Sequence, residues 1–389
     1  MRTRAMQGER TSCWATRSSV ARLTVAAAAA LVAAGAWGDD PPPAQAPRQG
    51  IERPAEGLRR LEAPAGAPEK AVRLAPLLEG TDGQLVATEE GWRRRREAIS
   101  KAWRTYLGEI PRERGPVNLE VLRTEELEHV TRSRVRYRIE DGITAEAYLL
   151  RPRGQPAAGA RPALGAVVFH STVASEAGEA AGVDATRADL HIGLQLAQRG
   201  WVALCPRCFI FDGAGYAGEV EKALRAHEGW KGMTRMLFDA VRAADVLESL
   251  PGVDAKRLAC IGHSLGAKEA LYAAAFDDRF RAAVFSEGGI GIRMSNWDAV
   301  WYLGPRAHEP GFARDHHELL ALIAPRSFLL LAGGSADGPE SGAYIAAAQP
   351  VWRLLGAPEK LVGLLHGNGH AYPPNARAAA EAFLESALR

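Results

Sequence analysis

The chain has 389 residues, of which 47% are hydrophobic, 24% charged and 7% aromatic. That balance suits a globular protein with a sizeable core and excludes collagen-like and disordered classes. Forty-eight Lys and Arg stand against 46 Asp and Glu, but five arginines and one glutamate fall in residues 1–38. The rest holds 43 basic and 45 acidic side chains, so charge offers no case for nucleic acid or anionic lipid as a partner.

Arg2, Arg4, Arg10, Arg17 and Arg22 precede the apolar run LTVAAAAALVAAGAWG. A basic lead, a short apolar stretch and a small-residue exit predict a secretory signal over residues 1–38, cut after Ala36 or Gly38. The run is too short and alanine-rich for a good membrane span, so the mature chain is expected to be periplasmic or secreted, without an integral span. An uncleaved anchor is the alternative. Residues 39–70, rich in Pro, Ala and charge, read as a linker with little to bury.

Thr88 is placed to cap a helix carrying Trp92, Ile99, Trp103 and Tyr106 near one face. The arginine run Arg93–Arg96 on it reads as a solvated face. LEVLRTEEL, VTRSRVRYRIE and ITAEAYLLRP alternate in the β manner, with a turn at Asp141-Gly142, and predict an antiparallel meander. From ALGAVVFH onward, short apolar strands alternate with helical patterns to the end of the chain. This predicts an α/β fold: a mostly parallel central sheet with helices on both faces, in one domain over residues 71–389.

With the signal segment removed, Cys205, Cys208 and Cys260 remain. The pair in CPRC closes an apolar run instead of opening a helix, and no second pair completes a zinc site. Buried thiols or a local bridge are expected there. DHHE (Asp315 to Glu318) does not converge on an ion, because helical neighbours point about 100° apart; it reads as the exposed start of a helix. No metal and no organic cofactor is expected.

Gly262-His263-Ser264-Leu265-Gly266 lies between an apolar strand and a small-residue helix. A G-x-S-x-G elbow turns sharply there, needs small neighbours, and lifts a hydroxyl above the carboxyl ends of the strands. Ser264 is the candidate nucleophile. Its base should follow the last strand, where LLHGNGHAYPP offers His366 and His370; His370, beyond two glycines, is favoured. Two carboxylates compete to orient it: Asp337, after the strand SFLLLAGG, and Glu287, in VFSEGG. The amides of Leu265 and Thr172 are the candidate oxyanion donors, and His170 reads as a loop-fixing residue.

From about residue 71, the motifs FHST, HIGLQLAQRGWVALCP, RLACIGHSLGAKEALYAAAF and NGHAYPP give the chain a clear resemblance. It resembles α/β-hydrolase-fold esterases of the acetylxylan-esterase and dienelactone-hydrolase-like group, and more narrowly glucuronoyl esterases. The narrower likeness implies that Lys268, four residues after the serine, contacts sugar hydroxyls and that Glu287 joins the triad. Those enzymes have arginine directly after the serine, where this chain has Leu265. From the residues alone, Lys268 faces the pocket or pairs with Glu287. Trp297 and Trp301 either stack on a sugar face or form lid core.

The reading is an exported serine carboxylic-ester hydrolase working through an acyl-enzyme on carbohydrate-linked esters, acetyl or uronoyl, of a polysaccharide or oligosaccharide. The rivals are a serine peptidase on the same fold and a non-catalytic carbohydrate-binding protein.

Overall fold

Apolar runs of five to seven residues between helical segments leave one economical arrangement, a sheet buried on both faces. The structure, a computed structural model, describes residues 56–62, 74–80, 82–154, 159 and 161–388. The signal expected at residues 1–38 lies outside them, as does most of the 39–70 linker. The described residues fall in one compact unit, Arg48–Arg389.

The strands are β1 (Arg59–Arg60), β2 (Glu120–Glu126), β3 (Val130–Glu140), β4 (Ile143–Pro152), β5 (Ala163–Phe169), β6 (Val202–Pro206), β7 (Val253–His263), β8 (Phe280–Ser286), β9 (Ser327–Ala332) and β10 (Leu361–Leu365). The helices are α1 (Glu89–Leu107), α2 (Ala177–Ala180), α3 (Ile192–Gln198), α4 (Gly215–Ala226), α5 (Gly232–Ser249), α6 (Leu265–Phe276), α7 (His317–Ile323), α8 (Gly342–Leu354) and α9 (Pro374–Leu388). Among the described residues the strands form one sheet in the order β1-β10-β9-β8-β7-β5-β6-β4-β3-β2. Strands β10 through β6 in that order run parallel. The β2–β3–β4 meander joins antiparallel through β4 and β6, as the alternation predicts.

Side chains two apart along a strand share a face, and the core divides accordingly. Val167, Phe169, Leu258 and Cys260 point to the face covered by α1, α5, α6, α7 and α8. Ala166, Val168, Ala259 and Ile261 point to the opposite face, covered by α3 and α9. Register aligns the carboxyl ends: Phe169 lies opposite Gly262, His263 opposite Ser286, and Ser286 opposite Leu331. The loops that follow these strands therefore emerge side by side along one edge.

Three expectations change. Within the stretch read as a linker, Arg59 and Arg60 pair antiparallel with Leu365 and Leu364. Leu58 and Leu61 are buried and supply the apolar area that docks this segment. The DHHE segment is buried throughout, not exposed. Its four side chains turn to separate partners: Asp315 to the Ile292 amide and the Tyr344 hydroxyl, His316 to Tyr272 and the Ile290 carbonyl, His317 to the Ala75 carbonyl, and Glu318 to Trp103 Nε1. Apolar neighbours alone did not reveal this, because each of the four side chains bonds a residue distant in sequence. Finally, Cys205 and Cys208 are buried free thiols, so the bridge alternative falls away.

Candidate active site

The turn from β7 into α6 is tight enough to exclude side chains. A Cβ on Gly262 would lie 2.1 Å from the Gly266 carbonyl carbon, and one on Gly266 would lie 2.3 Å from the Phe169 carbonyl oxygen. Between them Ser264 has φ 58° and ψ −116°, a conformation costing a non-glycine residue roughly 1–3 kcal/mol. Its amide is anchored to the Ser286 carbonyl at 2.8 Å, which ties the turn to β8. The Leu265 amide is the first of α6 and, like the Thr172 amide, has no intramolecular acceptor among the described residues. Since Gly266 abuts Phe169 and His170, the Thr172 loop lies against the elbow.

His170 fixes that loop. Its Nδ1 is 2.7 Å from the Ser171 carbonyl and so carries the proton, while Nε2 accepts from the Cys208 amide at 3.1 Å. Burial holds its pKa down to about 4, keeping the ring neutral.

His370 leaves the loop after β10 with its ring 4.8 Å from that of His263, the residue preceding Ser264. The Gly369 amide bonds the Gly333 carbonyl at 2.8 Å, stitching the histidine loop to the loop after β9. Glu287 lies fully buried at φ 52°, directly after β8. One carboxylate oxygen takes the Gly333 amide; the other takes the Ala336 amide at 2.8 Å and stands 3.3 Å from His370 Nδ1.

Asp337 is not brought to His370. Its carboxylate accepts from the Gly289 and Ile290 amides at 2.6 and 2.8 Å and from the Ser341 hydroxyl at 2.9 Å. It fastens the loop that follows β8, and burial pushes its pKa up to about 6. Chain order favoured Asp337 over Glu287; in the structure Asp337 bonds the loop after β8 and Glu287 is the carboxylate facing His370.

Lys268 does not pair with Glu287, and Trp297 takes the buried one of its two readings. The Lys268 ammonium is buried, 2.5 Å from the Gly288 carbonyl and 2.8 Å from Ser295 Oγ, and among the described residues it pairs with no carboxylate. It sits 4.2 Å above the Trp297 ring, and burial lowers its pKa to about 7. Trp297 is fully buried, donates to the Gly289 carbonyl at 2.8 Å and lies against His316, so it has no face for a sugar. Trp301 remains partly open, edge-on to Tyr216.

Sequence reasoning passed over Glu179, a buried carboxylate bound to Ser171. The available signal was an acid set among the alanines and glycines of EAGEAAG, whose small side chains suit close packing.

The chain is similar to several known proteins. Residues 146–296 match the model described as dienelactone hydrolase family. The chain is 28% identical over 189 residues to 4-O-methyl-glucuronoyl methylesterase 1 of Sodiomyces alcalophilus, covering 40% of this chain and 38% of that one. It is 28% identical over 187 residues to 4-O-methyl-glucuronoyl methylesterase of Hypocrea jecorina, covering 40% of each. The match thus spans about two fifths of these relatives' length. Among solved structures, a glucuronoyl esterase from Solibacter usitatus superposes with TM-score 0.68 at 20% identity, over 82% of this chain and 99% of that one. A glucuronoyl esterase from Teredinibacter turnerae gives 0.63 at 21%, over 81% and 88%. Residues 146–296 therefore resemble the dienelactone hydrolase family, and the chain shares the α/β fold of these glucuronoyl esterase structures.

Proposed function

We propose that the protein is an exported serine carboxylic-ester hydrolase that acts on carbohydrate-linked esters through an acyl-enzyme. The observation carrying this reading is Ser264, held at positive φ on the elbow, with His370 beside its neighbouring residue and Glu287 behind His370. His370 takes the hydroxyl proton as Ser264 attacks the ester carbonyl, and the imidazolium then protonates the departing alcohol. Glu287 holds Nδ1 protonated and stabilises the imidazolium. Water, deprotonated by His370, attacks the acyl-enzyme and releases the acid. The amides of Leu265 and Thr172 receive the oxyanion in both steps.

The carbohydrate part of the reading draws on the names of the similar proteins. Lys268 and Trp297 do not carry it, since both are buried and engaged. Leu265 brings no charge to the acyl site, so acetyl and uronoyl esters both stand as substrates. Export rests on the composition of residues 1–38.

The test is turnover of p-nitrophenyl acetate, acetylated xylo-oligosaccharides and a glucuronate methyl ester by the mature protein, with Ser264→Ala as control. Hydrolysis of at least one sugar ester, lost in the variant, is expected. Undiminished turnover in Ser264→Ala would discard the mechanism. N-terminal sequencing of protein from the cell envelope or medium tests the cut after Ala36 or Gly38.

A further inference from the structure

Glu179 is a buried carboxylate, 1% exposed, in the short helix α2, and it takes no part in the mechanism above. One of its oxygens accepts from the Ser171 amide at 2.8 Å and the other from the Ser171 hydroxyl at 2.7 Å. Its charge is met by Arg187, 3.5 Å away, which the structure shows with no other ion-pair partner among the described residues. The segment leading into Arg187 is tied to this loop by two links: Ser175 Oγ donates to Asp184 at 2.8 Å, and the Val183 amide bonds the Gly178 carbonyl at 2.8 Å.

Ser171 precedes Thr172, and the peptide joining them is trans. In a trans peptide, C=O and N–H point in opposite directions within one plane. The Ser171 carbonyl is pinned inward by His170 Nδ1 at 2.7 Å. The same residue's amide and hydroxyl are pinned by Glu179. With Ser171 fixed at its nitrogen, side chain and oxygen, the Thr172 N–H has one direction left, away from His170. Charge-assisted bonds to a carboxylate are about twice as strong as neutral ones, which suits a donor that must not reorient as charge develops.

We infer that Glu179, with Arg187 as its counter-charge, is a positioning residue that orients the Thr172 amide toward the oxyanion; this rests on the esterase reading. It holds a donor in place and touches no substrate.

Four variants of the mature protein test it: Glu179→Gln, Glu179→Ala, Ser171→Ala and Arg187→Ala. The measurements are kcat and KM on p-nitrophenyl acetate and Ki for a neutral trifluoromethyl ketone, which adds Ser264 to form a tetrahedral oxyanion. Glu179→Ala is expected to lower kcat about 30-fold with little change in KM, less than the 10²–10³ seen when an oxyanion donor is lost outright. Glu179→Gln keeps contacts to Ser171 without charge and should lose roughly 3-fold; Ser171→Ala and Arg187→Ala should fall between the two. In each variant Ki should rise by the factor by which kcat falls, which a loss of general stability would not produce. Should Glu179→Ala fail to fold, Glu179→Gln and Ser171→Ala decide. Unchanged kcat and Ki in the folded variants, or a change confined to KM, overturns the inference while leaving the esterase reading intact. Wild-type protein that neither hydrolyses esters nor binds the ketone overturns both.

Discussion

The Glu287 carboxylate stands 3.3 Å from Nδ1 of His370 across 83 positions of sequence, and two backbone amides of a third loop clamp it there. Three successive strand ends, β8, β9 and β10, meet in that contact. The sheet register makes it possible, because each loop starts at the same height on the same edge.

Exchange of the two carboxylates for amides should separate their roles. Glu287→Gln removes the acceptor facing His370 and leaves an NH₂ group against an N–H donor, so kcat should fall by about 10³-fold or more. Asp337→Asn sets an NH₂ against the Gly289 or Ile290 amide; it should cost about 1–3 kcal/mol of stability and change kcat by less than about 10-fold. Steady-state kinetics and urea unfolding of both variants check this. A larger kcat loss in Asp337→Asn than in Glu287→Gln would return the orienting role to Asp337.

Gly266→Ala should not yield a working elbow. The added methyl would press on the Phe169 carbonyl at 2.3 Å and on the His170 carbonyl at 2.9 Å, both backbone groups that cannot rotate aside. Overpacking of this kind typically costs about 1–3 kcal/mol and would displace the Thr172 loop. A lowered Tm together with a kcat loss of more than about 10-fold is expected; wild-type values for both would contradict the packing described.

Lys268→Met gives a pH-dependent stability difference of defined sign. Burial holds the Lys268 pKa down to about 7, against 10.5 for an ordinary lysine. Between those values the unfolded chain binds a proton that the folded chain has shed, so the contribution of Lys268 to stability rises with pH from about 7 to 10.5. Across that window wild type should gain on Lys268→Met by an amount on the order of a few kcal/mol. Urea unfolding of both proteins at several pH values measures it. A difference independent of pH would show that the amine keeps its proton throughout.

Trp297→Phe should cost about 1–3 kcal/mol, through the lost bond to the Gly289 carbonyl and the cavity left beside His316. KM for small sugar esters should stay within about 2-fold, because the ring is fully buried. Thermal unfolding and kinetics on acetylated xylobiose test the two halves. A KM increase of about 10-fold or more at unchanged stability would restore Trp297 as a sugar platform.

The local parts of this protein were legible from its residues. Alternation placed the β2–β3–β4 meander, and short apolar runs placed the buried strands, because side-chain period depends only on neighbouring residues. The elbow was legible in part for the same reason: the clash that demands Gly262 comes from Gly266, four residues on, whereas the one at Gly266 comes from distant Phe169 and His170.

What remained hidden in every case was a partner supplied from far along the chain. Asp337 and Glu287 both follow strands that end on one edge; which of them faces His370 depended on contacts between loops. Lys268 and Trp297 have the composition of a ligand site, yet the loop after β8 folds over both. Buried polar groups such as those of DHHE and Glu179 can be recognised only once their acceptors and donors arrive. Sequence therefore determined the strands and the turn that carries Ser264, which short-range sterics and periodicity largely dictate. Tertiary structure alone decided which charged and aromatic side chains meet one another, because hydrogen bonding inside a low-dielectric core is settled by proximity in space and not by spacing along the chain.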